Sequence, residues 1–260
     1  MTTQRDKAEL LLSLHVPGDP LILTNVWDAV TARIVATTPG VKAIASASHS
    51  VSYARGVPDG EGLELDQALD AARLIVGATE LPVTIDFERA YAHDADRVQA
   101  NVERLISTGA VGLNIEDSLA SDAMRPLAAS VERVTAARAA GNATGVPIVI
   151  NARVDTLVRG GDWDDAIARA NAYLAAGADC AFVLGLRDAA ALERAVAAID
   201  GRVSVISGAT SVPLRQLAEL GVSRVSFGPG ILGFTLSHLR DAAAQLSALG
   251  EYPQELGFEY

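Results

Sequence analysis

The chain has 260 residues, with 21 lysines and arginines against 32 aspartates and glutamates, for a net charge of −11. Half of the residues are hydrophobic and a fifth are charged, the composition of a folded domain, and the length suits one α/β barrel of about 250 residues. The single cysteine, Cys180, excludes an intramolecular disulfide and a cysteine-rich metal cluster. The acidic balance argues against a nucleic-acid surface but leaves room for a locally positive pocket that takes small anions.

Gln4 to Leu14 reads as an extra helix ahead of the main fold, within a lead-in of residues 1–16. Its apolar run Leu10–Leu12 follows Glu9 and is too short for an export signal, and no stretch approaches the roughly 18 apolar residues of a membrane span. A cytoplasmic protein is therefore expected.

From there, short apolar runs alternate with alanine-rich helical segments. The runs are Leu21–Asn25, Val41–Ser46, Pro82–Asp86, Val111–Glu116, Pro147–Asn151, Cys180–Leu184, Val203–Ser207 and Arg224–Phe227. They are continuous rather than alternating, as strands buried on both faces require. Helical periodicity marks Asp66–Ala78, Asp94–Ser107, Ser130–Ala140, Asp162–Ala176, Asp188–Ile199 and Ser211–Leu220. Each opens on an acidic or hydroxyl residue suited to an N-cap, and Gly109, Gly177 and Gly221 stand where a helix must stop before the next strand. Eight such units predict a (β/α)8 TIM barrel, with a doubly wound sheet as the alternative. A single domain spans 1–260, and 250–260 forms a tail outside the alternation.

In a barrel the chemistry sits at the carboxyl ends of the strands. Those ends read Asn25-Val26-Trp27-Asp28, Ser46-Ala47-Ser48, Asp86-Phe87-Glu88-Arg89, Glu116-Asp117 and Asn151-Ala152-Arg153-Val154-Asp155. Asp86 and Glu116 end apolar runs and need partners, because an unpaired buried carboxylate is costly. Oxygen donors without histidine or cysteine suit Mg2+ or Mn2+, and one direct carboxylate with further acids holding waters is enough for Mg2+. Arg153 can balance a bound oxyanion. The competing structural reading is a salt-bridge ring of Asp86, Glu116 and Arg153. Paired carboxylates also fit glycoside hydrolysis, but two tryptophans leave little for sugar stacking. His49 and His238 read as surface residues, Cys180 as core, and Gly228-Pro229-Gly230 as a turn rather than a phosphate loop.

These strand ends resemble the isocitrate lyase / phosphoenolpyruvate mutase superfamily over roughly Leu12 to Leu246. Pro17-Gly18 followed by Asn25-Val26-Trp27-Asp28-Ala29 is similar to the family's Pro-Gly … Asn-Ala-Trp-Asp-Ala. Ser46-Ala47-Ser48 falls at its Thr-Ser-Gly, and Gly56-Val57-Pro58-Asp59-Gly60 at its Gly-Tyr-Pro-Asp-Gly. Asp86-Phe87-Glu88-Arg89-Ala90-Tyr91 stands in place of Asp-Ala-Asp-Thr-Gly-Tyr; Ile115-Glu116-Asp117 and Ala152-Arg153-Val154-Asp155 match Ile-Glu-Asp and Ala-Arg-Thr-Asp. The resemblance implies that Asp86 ligates Mg2+ directly while Asp59, Glu88 and Glu116 hold its waters. It implies that Ser46, Ala47 and Ser48 bind a substrate carboxylate with Arg153, and that Trp27 lines the pocket. It further implies an eighth helix swapped between partners in a homotetramer built as a dimer of dimers.

The chain departs from the lyase branch after Glu116. That branch carries a Lys-Lys/Arg-Cys-Gly-His loop, whereas Ser118 to Ser130 contains no cysteine, lysine or histidine, and the lysine and asparagine of the mutase branch are missing too. Arg125 and Ser121 are the loop groups placed to meet the distal part of a substrate. Leu184 lies near a lyase glutamate position. The expected activity is Mg2+-dependent cleavage of a C–C bond in a small 2-oxo or 2-hydroxy carboxylate through a pyruvate-like enolate. Arg153, Glu88 and Glu116 are the candidate catalytic residues, and Glu88 or a metal-bound water the proton carrier. The alternatives are phosphoenolpyruvate or phosphonopyruvate chemistry, by a mutase or hydrolase, and a non-catalytic carboxylate-binding barrel.

Overall fold

A computed structural model of the chain describes residues 2–121 and 123–253, so Met1, Asp122 and most of the expected 250–260 tail lie outside the described residues. Nine parallel strand segments run through the described part. They are β1 (Leu21–Leu23), β2 (Asn25–Val26), β3 (Ile44–Ser46), β4 (Val83–Asp86), β5 (Gly112–Glu116), β6 (Val149–Val154), β7 (Cys180–Val183), β8 (Val203–Ile206) and β9 (Arg224–Ser226). The first apolar run is divided at Thr24. Its first half, β1, pairs with β9 and its second half, β2, pairs with β3. One extended stretch therefore joins the last strand to the second and closes the ring, giving the expected (β/α)8 barrel.

The helices are α1 (Gln4–Ser13), α2 (Ala29–Thr37), α3 (Ser48–Ala54), α4 (Leu65–Val76), α5 (Ala95–Ile106), α6 (Leu127–Thr144), α7 (Trp163–Ala175), α8 (Ala189–Ala198), α9 (Leu214–Glu219) and α10 (Gly230–Ser247). Asp94, Asp162 and Asp188 cap α5, α7 and α8 through their carboxylates, as the sequence predicts. Three expected caps fall elsewhere. Asp66 lies inside the first turn of α4, and Ser130 is internal because α6 starts three residues earlier, after Pro126. Ser211 precedes α9 and accepts the N–H of Gly208. The helices α2 and α3 carry no marked period; α2 is nucleated by a capping box between Asp28 and Thr31, which gives Asp28 a structural role. None of the described helices is long and apolar enough to cross a membrane.

The core lies between the strands and the ring of helices, and α1 covers the amino-terminal end of the barrel. Gln4 Nε2 donates to the carbonyls of Ile106 and Ala110. Leu11 reaches so far in that a Cβ on Gly112 would lie 2.8 Å from its Cδ2 and 2.8 Å from Thr84 Oγ1. At the other end, strand register sets the functional side chains beside one another. Asp86 pairs with Asn114, Asn114 with Asn151, and Glu116 with Arg153.

Candidate active site at the carboxyl rim

A cavity of about 100 Å³ opens at the carboxyl ends of the strands, lined by Asn25, Ser46, Ala47, Ser48, Asp59, Asp86, Asn114 and Arg153, with Gly228 and Pro229 on the opposite wall. Six sequence-predicted residues thus come together: Ser46, Ala47, Ser48, Asp59, Asp86 and Arg153. Trp27 does not line this cavity. Its ring packs beside the core, and its backbone N–H donates to the Thr31 hydroxyl at the start of α2.

Asp86 is built into the wall by neutral donors. Its Oδ2 accepts from the Ser48 N–H at 3.0 Å and from the Ser48 hydroxyl at 2.8 Å. Its Oδ1 has one long contact, from Asn114 Nδ2 at 3.5 Å. Its own N–H donates to Ser46 Oγ, which leaves the Ser46 hydroxyl proton free to donate to a ligand. The Ala47 N–H is occupied by Val26 O at 3.3 Å. The backbone donors expected to meet a carboxylate at Ala47 and Ser48 are therefore committed to the wall, and the Ser46 hydroxyl is the open donor of the three residues.

Asn114 and Asn25 also line the cavity; the sequence reading placed Asn25 at a strand end without a role and did not single out Asn114. Asn25 ties β2 to its neighbours, donating to Ser46 O and accepting from the Phe227 N–H. Asn114 Oδ1 accepts from Asn151 Nδ2 at 2.8 Å and from Arg224 at 3.1 Å, which fixes the amide with its Nδ2 toward Asp86. The signal was present: Asn114 stands two residues before Glu116 in an apolar run, hence on the same inward face.

The other two expected metal-site acids are engaged elsewhere. Glu88 Oε1 accepts from the Glu61 N–H at 2.5 Å and Oε2 from the Tyr91 hydroxyl at 2.6 Å. Burial raises the Glu88 carboxyl to about 7, the Tyr91 hydrogen bond works against that, and nearby Asp86 adds to it. Glu116 Oε2 pairs with Arg153 at 2.7 Å and its Oε1 with Arg89 at 3.3 Å. Burial pushes Glu116 up and Arg153 pulls it back. Arg153 also forks onto Asp155 at 2.6 and 3.2 Å; burial opposes its charge, but Glu116 and Asp155 outweigh that and hold it cationic. Asp155 is steadied in turn by Asp117, whose Oδ1 accepts the Asp155 N–H and whose Oδ2 accepts the Tyr173 hydroxyl. The salt-bridge reading is thus correct for Glu116 and Arg153, while Asp86 stays outside it.

The strand-to-helix segment after Asp86 is strained. Glu88, Ala90 and Tyr91 have φ of 50°, 55° and 52°, in the left-handed region that disfavours side chains. Arg133 fixes this turn by donating to the carbonyls of Arg89, Ala92 and His93. Of the remaining sequence candidates, Cys180 is fully buried and burial raises its thiol to about 12, so it is inert. His238 is exposed on α10; His49, on α3, stacks against Tyr53 and reaches the cavity rim.

The donor set fits a hard divalent cation. Asp86 and Asp59 offer anionic oxygen to one cavity, and Asp86 Oδ1 has acceptor capacity to spare. Among the described residues, no three His, Cys, Asp or Glu side chains converge on one point, so waters would complete the coordination.

Residues 11–247 match the family model described as phosphoenolpyruvate phosphomutase. The chain belongs to the phosphoenolpyruvate mutase / isocitrate lyase superfamily. Among superfamily members it is 32% identical to the 2-methylisocitrate lyase of Escherichia coli K12 over 235 residues, covering 83% of this chain and 78% of that one. It is 30% identical to an oxaloacetate decarboxylase of Bradyrhizobium over 227 residues, covering 86% and 78%. A crystal structure from Burkholderia cenocepacia J2315, provisionally named a phosphonomutase, superposes with a TM-score of 0.88 at 39% identity, covering 92% of this chain and all of that one.

Proposed function

We propose that the chain is a Mg2+-dependent carbon–carbon lyase that decarboxylates a small 2-oxo dicarboxylate. Asp86 would hold the ion directly, and Asp59, with Glu88 and Glu116 behind it, would hold its waters. When bound, the ion supplies an electrophile for the 2-oxo group and its adjacent carboxylate. Arg153 and the Ser46 hydroxyl bind the carboxylate oxygens, and Glu116 and Asp155 keep the guanidinium in place.

One observation carries the choice of decarboxylation. The segment Ser118–Pro126 holds no cysteine, lysine or histidine, and Glu88, the candidate proton carrier, does not line the Asp86 cavity. Retro-aldol cleavage needs a base to remove a hydroxyl proton. Loss of CO2 does not: the electron pair of the breaking C–C bond moves into the 2-oxo group, and water can later supply the proton. The name of the Bradyrhizobium relative supports the same reading. The Burkholderia relative supports phosphonopyruvate chemistry as a second reading, which phosphorus NMR of that substrate would reveal.

The assembly expected from the resemblance has support in α10. Phe234 and Leu239 are each 65% exposed, and Leu232 is the one buried residue along this helix. We infer that a second copy covers this face in a homo-oligomer.

The deciding experiment is calorimetric titration with oxalate, a pyruvate-enolate mimic, with and without Mg2+. The expected result is binding that requires Mg2+ and disappears in Asp86→Ala, followed by CO2 and pyruvate release from oxaloacetate. Binding that survives in Asp86→Ala would refute the metal assignment. No binding in either condition would favour the non-catalytic barrel.

A further inference from the structure

A second cavity, of about 240 Å³, opens on the same rim between the 61–65 segment, the strained turn after β4 and the start of the 118–126 segment. It is lined by Glu61, Arg89, Tyr91, His93, Leu119 and Arg125, among others, and shares no lining residue with the Asp86 cavity. The chain Arg89–Glu116–Arg153 separates the two.

Arg125 is the unusual group here. Its residue is only 7% exposed, yet Nε has no hydrogen-bond partner, and the guanidinium has one long contact, to His93 O at 3.4 Å. No carboxylate among the described residues forms an ion pair with it. Two further guanidiniums flank the same turn. Arg133 is spent on backbone carbonyls, and Arg89 alone draws the nearby acids, Glu61 at 3.2 Å and Glu116 at 3.3 Å. Glu61 and Glu116 both pair with Arg89, and Glu116 is shared with Arg153 as well, so neither pairs directly with Arg125. A buried guanidinium demands an acceptor, and a forked donor at a cavity wall matches the geometry of carboxylate or phosphoryl oxygen.

We propose that this cavity is a second binding site, for a small oxyanion, with Arg125 as its principal ligand and Arg89 beside it. Glu61 and the exposed Glu64 restrict the ligand to one whose charge is concentrated at the Arg125 end. The site does not depend on the lyase reading, since it needs neither a metal nor the Asp86 cavity.

The test is a calorimetric titration of the whole protein with inorganic phosphate in EDTA, where metal-dependent binding at the first cavity is silent. One phosphate is expected to bind per chain, about tenfold or more weakly in Arg125→Met, with partial recovery in Arg125→Lys. Crystals soaked in selenate should show anomalous density beside Arg125, which decides the matter even where Arg125→Met does not fold. The proposal is overturned by absence of phosphate binding in the native chain, by undiminished binding in folded Arg125→Met, or by selenate density only in the Asp86 cavity.

Discussion

Arg224 offers a perturbation whose effects on stability and on the site should have opposite signs. It lies on β9 inside the barrel, 1% exposed, and donates one hydrogen bond, to Asn114 Oδ1, while Nε and one terminal nitrogen have no partner. Burial drives its pKa from 12.5 down to about 10, with Cys180 and Asp86 pulling weakly the other way. The folded chain therefore holds this proton less tightly than the unfolded one. Below pH 10 both states are protonated and the native state bears the whole penalty; it is relieved only as pH rises from about 10 to 12.5. At 1.36 kcal/mol per pH unit the penalty is about 3 kcal/mol at neutral pH.

Arg224→Met removes that penalty and fills the space with a flexible apolar chain, at the loss of a hydrogen bond worth about 1 kcal/mol. The net gain is about 2 kcal/mol, or roughly 4 °C in Tm for a chain of this length. Calorimetric unfolding at pH 7.5 measures it. Meanwhile Asn114 Oδ1 keeps only Asn151 as donor. Oxalate affinity in Mg2+ should then fall, by less than about tenfold, and fall further when Asn151→Ala is added. A drop in Tm by a similar amount would refute the reasoning, because it would mean that the guanidinium is compensated inside the barrel.

Three further outcomes are expected. Ala90→Gly should raise stability by up to about 1 kcal/mol in urea unfolding, since φ at Ala90 is 55° and the resembling family has glycine there; a clear loss would show that the turn is not strained. His15 is buried with Nε2 unpartnered, and burial, aided by Arg224, lowers its pKa from 6.5 to about 3. It stays neutral in the fold while the unfolded chain protonates, so its contribution is complete above pH 6.5 and declines toward pH 3, by up to about 1.4 kcal/mol per unit. His15→Leu should flatten that slope in urea titrations at pH 7.5 and 5.0, and parallel curves would contradict it. Leu239→Lys, at an exposed apolar position of α10, should shift sedimentation toward smaller species if a second copy covers that face; an unchanged profile would remove α10 from the interface.

The strands were legible because burial on both faces leaves an unbroken apolar run, and their carboxyl ends follow once the barrel is assumed. The division of the first run at Thr24 was not legible, because nothing in Leu21–Val26 shows that its two halves pair with different neighbours. Nor was α3, seven residues long and without a period, whose first N–H is taken by Asp86, a residue 38 positions away. Asn114, Asn151 and Arg224 are polar residues in three separate runs. Only strand register shows that they meet, and only their meeting gives Asn114 an orientation.

The same limit applied to the acids. Sequence placed Asp86, Glu88 and Glu116 at adjacent strand ends but could not say which would find partners within the chain. Glu116 finds two guanidiniums. Glu88, turned away by a left-handed backbone, finds a backbone N–H and a phenol. Asp86 receives neutral donors and forms no ion pair among the described residues, although Arg153 lines the same cavity. Arg153 is held off Asp86 by Glu116 and Asp155, so the carboxylate facing the cavity has no guanidinium in direct contact. An anionic oxygen left so, beside Asp59 and across from a fixed guanidinium, is suited to a cation that brings its own waters and an anionic substrate that chelates it. That asymmetry, one acid reserved while its neighbours are paired, is the strongest physical support for assigning Asp86 as the direct ligand.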